Sequence, residues 1–152
     1  MERVTDAELA AWRGFIKAHA QVIERIEQDL SREKRVPLST YDVLIALFEA
    51  PGRKLRLKDL TSKMVLTKSG ITRLIDRLEK DGLIVRAKSE EDGRGLYAVL
   101  TDEGEAQLRR AWPVYAQGIK RYFASALSEE DVRGVTAAME AIRRHVAAAS
   151  PQ

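Results

Sequence analysis

The 152-residue chain has no cysteine and only two histidines, His19 and His145. Without cysteine there is no disulfide framework, no thiolate metal site, no cysteine nucleophile and no cysteine redox switch. The two imidazoles form no His-x-x-x-His pair, and neither a glycine-rich phosphate loop nor a carboxylate cluster at metal spacing is present, so an enzyme is disfavoured and no metal or cofactor is expected. An unbroken run of about 18 apolar residues, the length a membrane helix needs, is missing as well. The opening Met-Glu-Arg-Val-Thr-Asp has neither a basic n-region nor an apolar h-region, which makes the cytoplasm the expected compartment.

What is present is enough to fold. Hydrophobic residues make up 45% of the chain, sufficient for one domain, or two small pieces sharing a core, without covalent staples. The net charge of +3 is unevenly placed. From Arg53 to Arg94 there are 12 Lys/Arg against 7 Asp/Glu, and the rest carries 14 against 16. A basic centre between mildly acidic arms is the footprint of a nucleic-acid-binding module on a separate scaffold, with a solubilising lysine-rich surface as the alternative.

Local signals divide the chain into helices. Thr5 and Glu8 are spaced as a capping box, with Val4 and Leu9 as staple. Leu9, Trp12, Ile16, His19, Ile23, Ile26 and Leu30 then alternate in steps of three and four, a heptad seam that wants a partner helix. Val36-Pro37 is expected to end that helix. Ser39 and Asp42 repeat the capping pattern ahead of Val43, Leu44, Leu47 and Phe48, and Pro51-Gly52 closes this second helix. Leu57, Leu60 and Met64 suggest a short third helix. Thr67 is expected to cap a fourth over 68–81, with Ile71, Leu74, Ile75 and Leu78 inward and Gly82 as its left-handed stop.

Two short helices with a tight turn between them, the second presenting donors outward, make a helix-turn-helix. The strand-like runs 83–88 and 96–100 follow, joined by a polar loop in which Arg94 stands between two glycines, and together they predict a β-hairpin wing. Thr101 starts a helix through Leu108, Trp112, Tyr115, Ile119 and Phe123, which Pro113 should kink. Ser128 and Asp131 form a third capping pattern, before a second apolar seam of Val132, Val135, Met139, Ile142 and Val146. The expected fold is mainly α with a small β-hairpin wing: a winged helix-turn-helix lobe over 37–101, with helical dimerisation regions at 1–36 and 102–152.

Over essentially its whole length the sequence resembles the MarR family of bacterial transcription regulators. The resemblance rests on Asp92-Gly93-Arg94 with Leu100-Thr101 following, and on the stretch from Ser69 to Leu83, which is similar to the family's recognition helix and its exit into the wing. Lys58 and Thr61 depart from the small cap residue and the alanine that the family often carries.

The resemblance implies an obligate homodimer, for which the two seams supply a physical reason, since one subunit cannot bury either stripe fully. A two-fold dimer sets its recognition helices about 34 Å apart, so the expected DNA is double-stranded and carries an inverted repeat. Thr72 and Arg73 are the expected base readers, because a guanidinium can grip guanine O6 and N7 together. Lys63, Lys68 and Ser69 are assigned to phosphates, and Arg77 to the same DNA-facing surface. Arg94 is the expected minor-groove probe. Asp92 should turn inward and hold the wing by pairing with Arg77 or Arg86. The resemblance further implies repression relieved by a small aromatic or anionic effector bound between the dimer helices and the lobe. Trp12, His19 and Asp76 are its candidate contacts, although a seam tryptophan is more often packing than a ligand contact and His19 more often a satisfied core histidine than a pH switch. The competing expectation is a winged helix that contacts protein or RNA without sequence-specific DNA binding.

Overall fold

The computed structural model describes residues 1–65, 69–89 and 95–149. Among these residues six α-helices and three strands follow in the order α1 Asp6–Arg32, α2 Leu38–Glu49, β1 Lys54–Arg56, α3 Leu57–Lys63, α4 Ile71–Lys80, β2 Ile84–Lys88, β3 Leu96–Leu100, α5 Asp102–Tyr122 and α6 Glu129–Ala148. This is the expected winged helix-turn-helix between terminal helices. Among the described residues, no helix is long and apolar enough to cross a membrane.

The ends of α1 show local chemistry at work. Thr5 Oγ1 accepts from the Glu8 amide at 3.2 Å while Glu8 Oε2 accepts from the Thr5 amide at 2.8 Å, so the first capping box forms as spaced. The C-terminus differs from expectation. Lys34 adopts φ 55, and the amides of Lys34 and Arg35 donate back to Ser31 O and Leu30 O at 3.0 and 2.8 Å. This left-handed closing turn stops the helix at Arg32, upstream of Val36-Pro37.

The second expected capping box does not form. Pro37 occupies the N-cap of α2 without a side-chain bond, and the Leu38 amide instead donates to Glu27 Oε1 of α1 at 2.6 Å. Asp42 is turned elsewhere, to the amide of Val65. A further correction concerns α4, which begins at Ile71 after Gly70 at φ 73, later than the expected 68; Thr67, its expected cap, lies outside the described residues. The stop is as expected: Gly82 has φ 76, and the Gly82 and Leu83 amides close on Glu79 O and Leu78 O at 3.0 and 2.9 Å. Helix α5 continues through Pro113 to Tyr122, and α6 opens on the Ser128–Asp131 capping box.

The sheet is antiparallel in the order β1-β3-β2. Strand β1, absent from the sequence expectation, pairs Lys54 with Val99 and Arg56 with Tyr97. Two apolar clusters result. The larger joins Val43, Leu44 and Leu47 of α2 to Leu60, Met64, Leu74, Ile75, Leu78, Ile84, Ala98 and Leu108. The smaller packs Ile26 and Leu30 of α1 against Leu38 and Ala111. At the α1–α5 crossing, a Cβ on Gly118 would lie 2.7 Å from Ile26 Cγ1, so the two helices approach at a distance that only glycine permits.

Of the remaining seam residues Leu9, Ile23, Val135 and Met139 are half-buried, and much of the rest is uncovered in one chain. Trp12, Phe15 and Ile16 on α1, Trp112 on α5, and Val132, Ile142 and Val146 on α6 are all exposed. His19 is exposed too, so in this protomer it is not the core histidine that one reading of the seam allowed.

Candidate nucleic-acid interface

Helix α4 is amphipathic to a degree that decides its orientation. Leu74, Ile75 and Leu78 are buried, whereas Thr72, Arg73, Asp76, Arg77 and Lys80 are exposed. The apolar residues recur at three and four, which gives one inward stripe and leaves the polar remainder on a single outward face. Ser69 in the preceding turn and Lys63 at the end of α3 are also exposed. Lys63, Ser69, Thr72, Arg73 and Arg77 thus sit solvent-exposed on and just ahead of the helix. Lys68, Asp92 and Arg94 lie outside the described residues, and so does the expected pairing of Asp92.

Arg86 of β2 connects the hairpin to this helix. Its guanidinium pairs with Asp76, and with Glu79 at 3.8 Å. Two acids one turn apart on α4 therefore hold a cation of the wing, which keeps helix and hairpin in a defined relation. Asp76, expected as an effector contact, is engaged in this brace.

The base of the wing is also shaped by β1. A Cβ on Gly95 would fall 2.6 Å from Nη1 of Arg56. The same guanidinium lies 5.3 Å from the centre of the Tyr97 ring, and Lys54 Nζ lies 5.0 Å from it. The Arg56 guanidinium thus lies between Gly95 and the Tyr97 ring at the base of the wing.

Behind the helix-turn-helix, α2 and α5 enclose an apolar crevice of about 590 Å³ lined by Tyr41, Ile45, Phe48, Glu49, Leu108, Arg109, Trp112 and Tyr115. The Tyr41 ring is tilted against Tyr115 at 5.0 Å between centroids and stacked toward Trp112 at 6.5 Å. Burial raises the Tyr41 hydroxyl above its ordinary pKa, helped by Tyr115 and Glu49; burial likewise raises Tyr115, helped by the charge of Asp42. At the rim, Arg109 donates to Glu105 Oε1 at 2.8 and 3.1 Å, and Arg53, which precedes β1, pairs with the other oxygen. Hydrogen bonding from Arg109, and after it the charge of Arg53, holds the Glu105 carboxyl below the usual range. None of Trp12, His19 and Asp76 lines this crevice. Sequence reasoning missed it because Trp112 and Tyr115 read simply as an apolar helix face; the signal was their spacing of three on α5, with a polar tip on each ring.

An outward basic helix braced to a β-hairpin, set between long terminal helices, defines a winged helix-turn-helix regulator. A family model described as MarR family matches residues 36–95. The HTH-type transcriptional regulator YkoM of Bacillus subtilis is 32% identical over 130 residues, covering 86% of this chain and 82% of the relative. AbsC, a MarR family transcriptional regulator from Streptomyces coelicolor, shares 30% identity at a TM-score of 0.86, covering 98% of this chain and 100% of that one. Sco3205 from the same organism, solved in complex with DNA, shares 29% at a TM-score of 0.85, covering 95% and 91%. The chain belongs to the MarR family, and is a transcriptional regulator and not an enzyme.

Proposed function

We propose that the protein acts as a homodimer that reads an inverted repeat in double-stranded DNA and represses transcription from it until a small aromatic or anionic effector is bound. The observation that carries this reading is the division of α4, with its apolar stripe sunk in the lobe and Thr72, Arg73 and Arg77 presented outward. Thr72 and Arg73 are the base readers, since a bidentate arginine discriminates guanine by roughly 1–3 kcal/mol. Lys63, Lys68 and Ser69 hold phosphates, and Arg94 between its glycines enters the minor groove beside them. Dimerisation is supported by the exposed apolar residues of α1 and α6, which a second copy would cover. The aromatic crevice supports the effector reading: it offers aromatic walls, with the Glu105-paired Arg109 at its rim. Asp76, held by Arg86, is set aside as a contact.

Selection of bound duplexes from a random DNA library tests the reading directly. A palindromic consensus is expected, with Arg73→Ala relaxing the choice of base and Arg94→Ala weakening all duplexes together. Equal retention of every sequence at moderate salt would instead favour a winged helix that serves protein or RNA contact. Release of the selected duplex by benzoate-like compounds, abolished in Trp112→Ala, tests the crevice.

A further inference from the structure

Asp42 is a carboxylate on α2 with 7% of its surface exposed, and neither the outward face of α4 nor the crevice walls include it. Its neighbours in sequence, Val43 and Leu44, are fully buried core residues. Withdrawing a charge from water is costly unless hydrogen bonds replace the lost hydration, so an apolar residue would be the ordinary choice in such a place. Asp42 Oδ2 accepts from the Val65 amide at 2.9 Å. Val65 lies two residues past the end of α3, in the turn that leads to α4. An amide beyond the end of a helix lacks an intrahelical partner and needs one from elsewhere.

The anchor is also rigid. Helix α2 contributes Val43, Leu44 and Leu47 to the core of the lobe, so a carboxylate fixed to it has little freedom. A bond from a fixed point to the chain just past α3 restrains the direction in which it leaves toward the second helix. Recognition of base edges depends on that placement, whereas attraction to phosphates tolerates small displacements. We propose that Asp42 is a positioning residue for DNA reading: through the Val65 amide it ties the α3–α4 turn to the core helix α2 and sets the pose in which α4 meets the major groove. The inference rests on the DNA-reading function proposed above.

A residue that merely stabilises the fold would lower affinity for every duplex alike, so selectivity is the informative measurement. Asp42→Leu matches the side chain in shape and cannot accept a hydrogen bond. Its binding to the library-selected duplex and to a scrambled duplex of equal length is compared with wild type at one salt concentration, alongside the thermal midpoint and exchange of the Val65 amide. The expected result is a loss of about tenfold or more on the selected duplex, with scrambled binding within about twofold of wild type and faster Val65 exchange. Asp42→Asn, whose carbonyl still accepts, restores most of the selectivity. Unchanged selectivity in Asp42→Leu, or parallel loss on both duplexes, overturns the inference. Should Asp42→Leu fail to fold, Asp42→Ser, too short to span to the amide, carries the same comparison. Absence of selectivity in the wild type overturns the DNA-reading function itself, and this inference with it; a selective wild type beside an equally selective variant sinks this inference alone.

Discussion

In the winged lobe, α2 and the elements around it place Val43, Leu44, Leu47, Leu60 and Ile84 at zero exposure. The twenty residues of α6 bury none, although Val132, Ile142 and Val146 are as apolar as their counterparts in the lobe. The difference lies in connectivity. The lobe brings three helices and a sheet onto one cluster, so each apolar stripe finds its complement within the same chain. Helix α6 and the first half of α1 leave their apolar residues outside that cluster, where the proposed dimer would cover them. One half of the molecule is therefore complete as a single chain, while the other is complete only in the proposed dimer.

Substitutions in the two regions should separate cleanly. Leu44→Ala is expected to lower the free energy of unfolding by about 2–5 kcal/mol, through lost burial and the cavity left behind, as read by chemical denaturation. Ile142→Glu should do the reverse: protomer stability nearly unchanged, dimer affinity down by on the order of 2–3 kcal/mol by analytical ultracentrifugation, and tight DNA binding lost with it. If Ile142→Glu unfolds the protomer and leaves the assembly state alone, the contrast is wrong. Arg86→Ala touches the brace between the wing and α4. Both partners are partly exposed, so its cost in thermal stability should stay below about 1 kcal/mol, while affinity for the selected duplex falls measurably in a gel shift.

The smallest effect expected is a pH dependence at the α1–α5 junction. Asp29 is held below the usual carboxylate range first by the hydrogen bond from Tyr122, at 2.6 Å, with Arg32 and Arg121 adding to it. A carboxyl with a depressed folded pKa contributes stability that is present above its unfolded value and lost as pH falls through the lower folded one. Tyr122→Phe should accordingly be less stable than wild type at neutral pH. Denaturation curves of the two should approach each other as pH drops through the depressed Asp29 value; a gap that widens in acid would refute this.

The same contrast explains how far the sequence could be read. Thr5 with Glu8 and Ser128 with Asp131 form real capping boxes because both helix ends are exposed, with nothing competing for their side chains. Ser39 with Asp42 shows the same spacing and is not a box, because the Val65 amide, 23 residues away in the chain, takes the carboxylate. Strand β1 spans three residues, too few to show a period, and exists through its pairing with β3. The outward residues of α4 were legible from helical periodicity alone. The aromatic crevice and the Arg86 brace were not, since each depends on which elements the fold lays side by side.

Thr101 closes the lobe in a way that bears on how any signal could reach DNA. Its hydroxyl donates to Gly82 O at 2.7 Å and accepts from the Gly104 amide at 3.0 Å, while its own amide donates to Leu83 O at 3.2 Å. One residue thus pins the exit of α4, the last strand of the sheet and the first turn of α5 to a common point. Three hydrogen bonds at one residue oppose a tilt between these elements. In the dimer proposed above, a swing of α5 would carry the lobe round with it, so any release of DNA would come from a change of span between lobes.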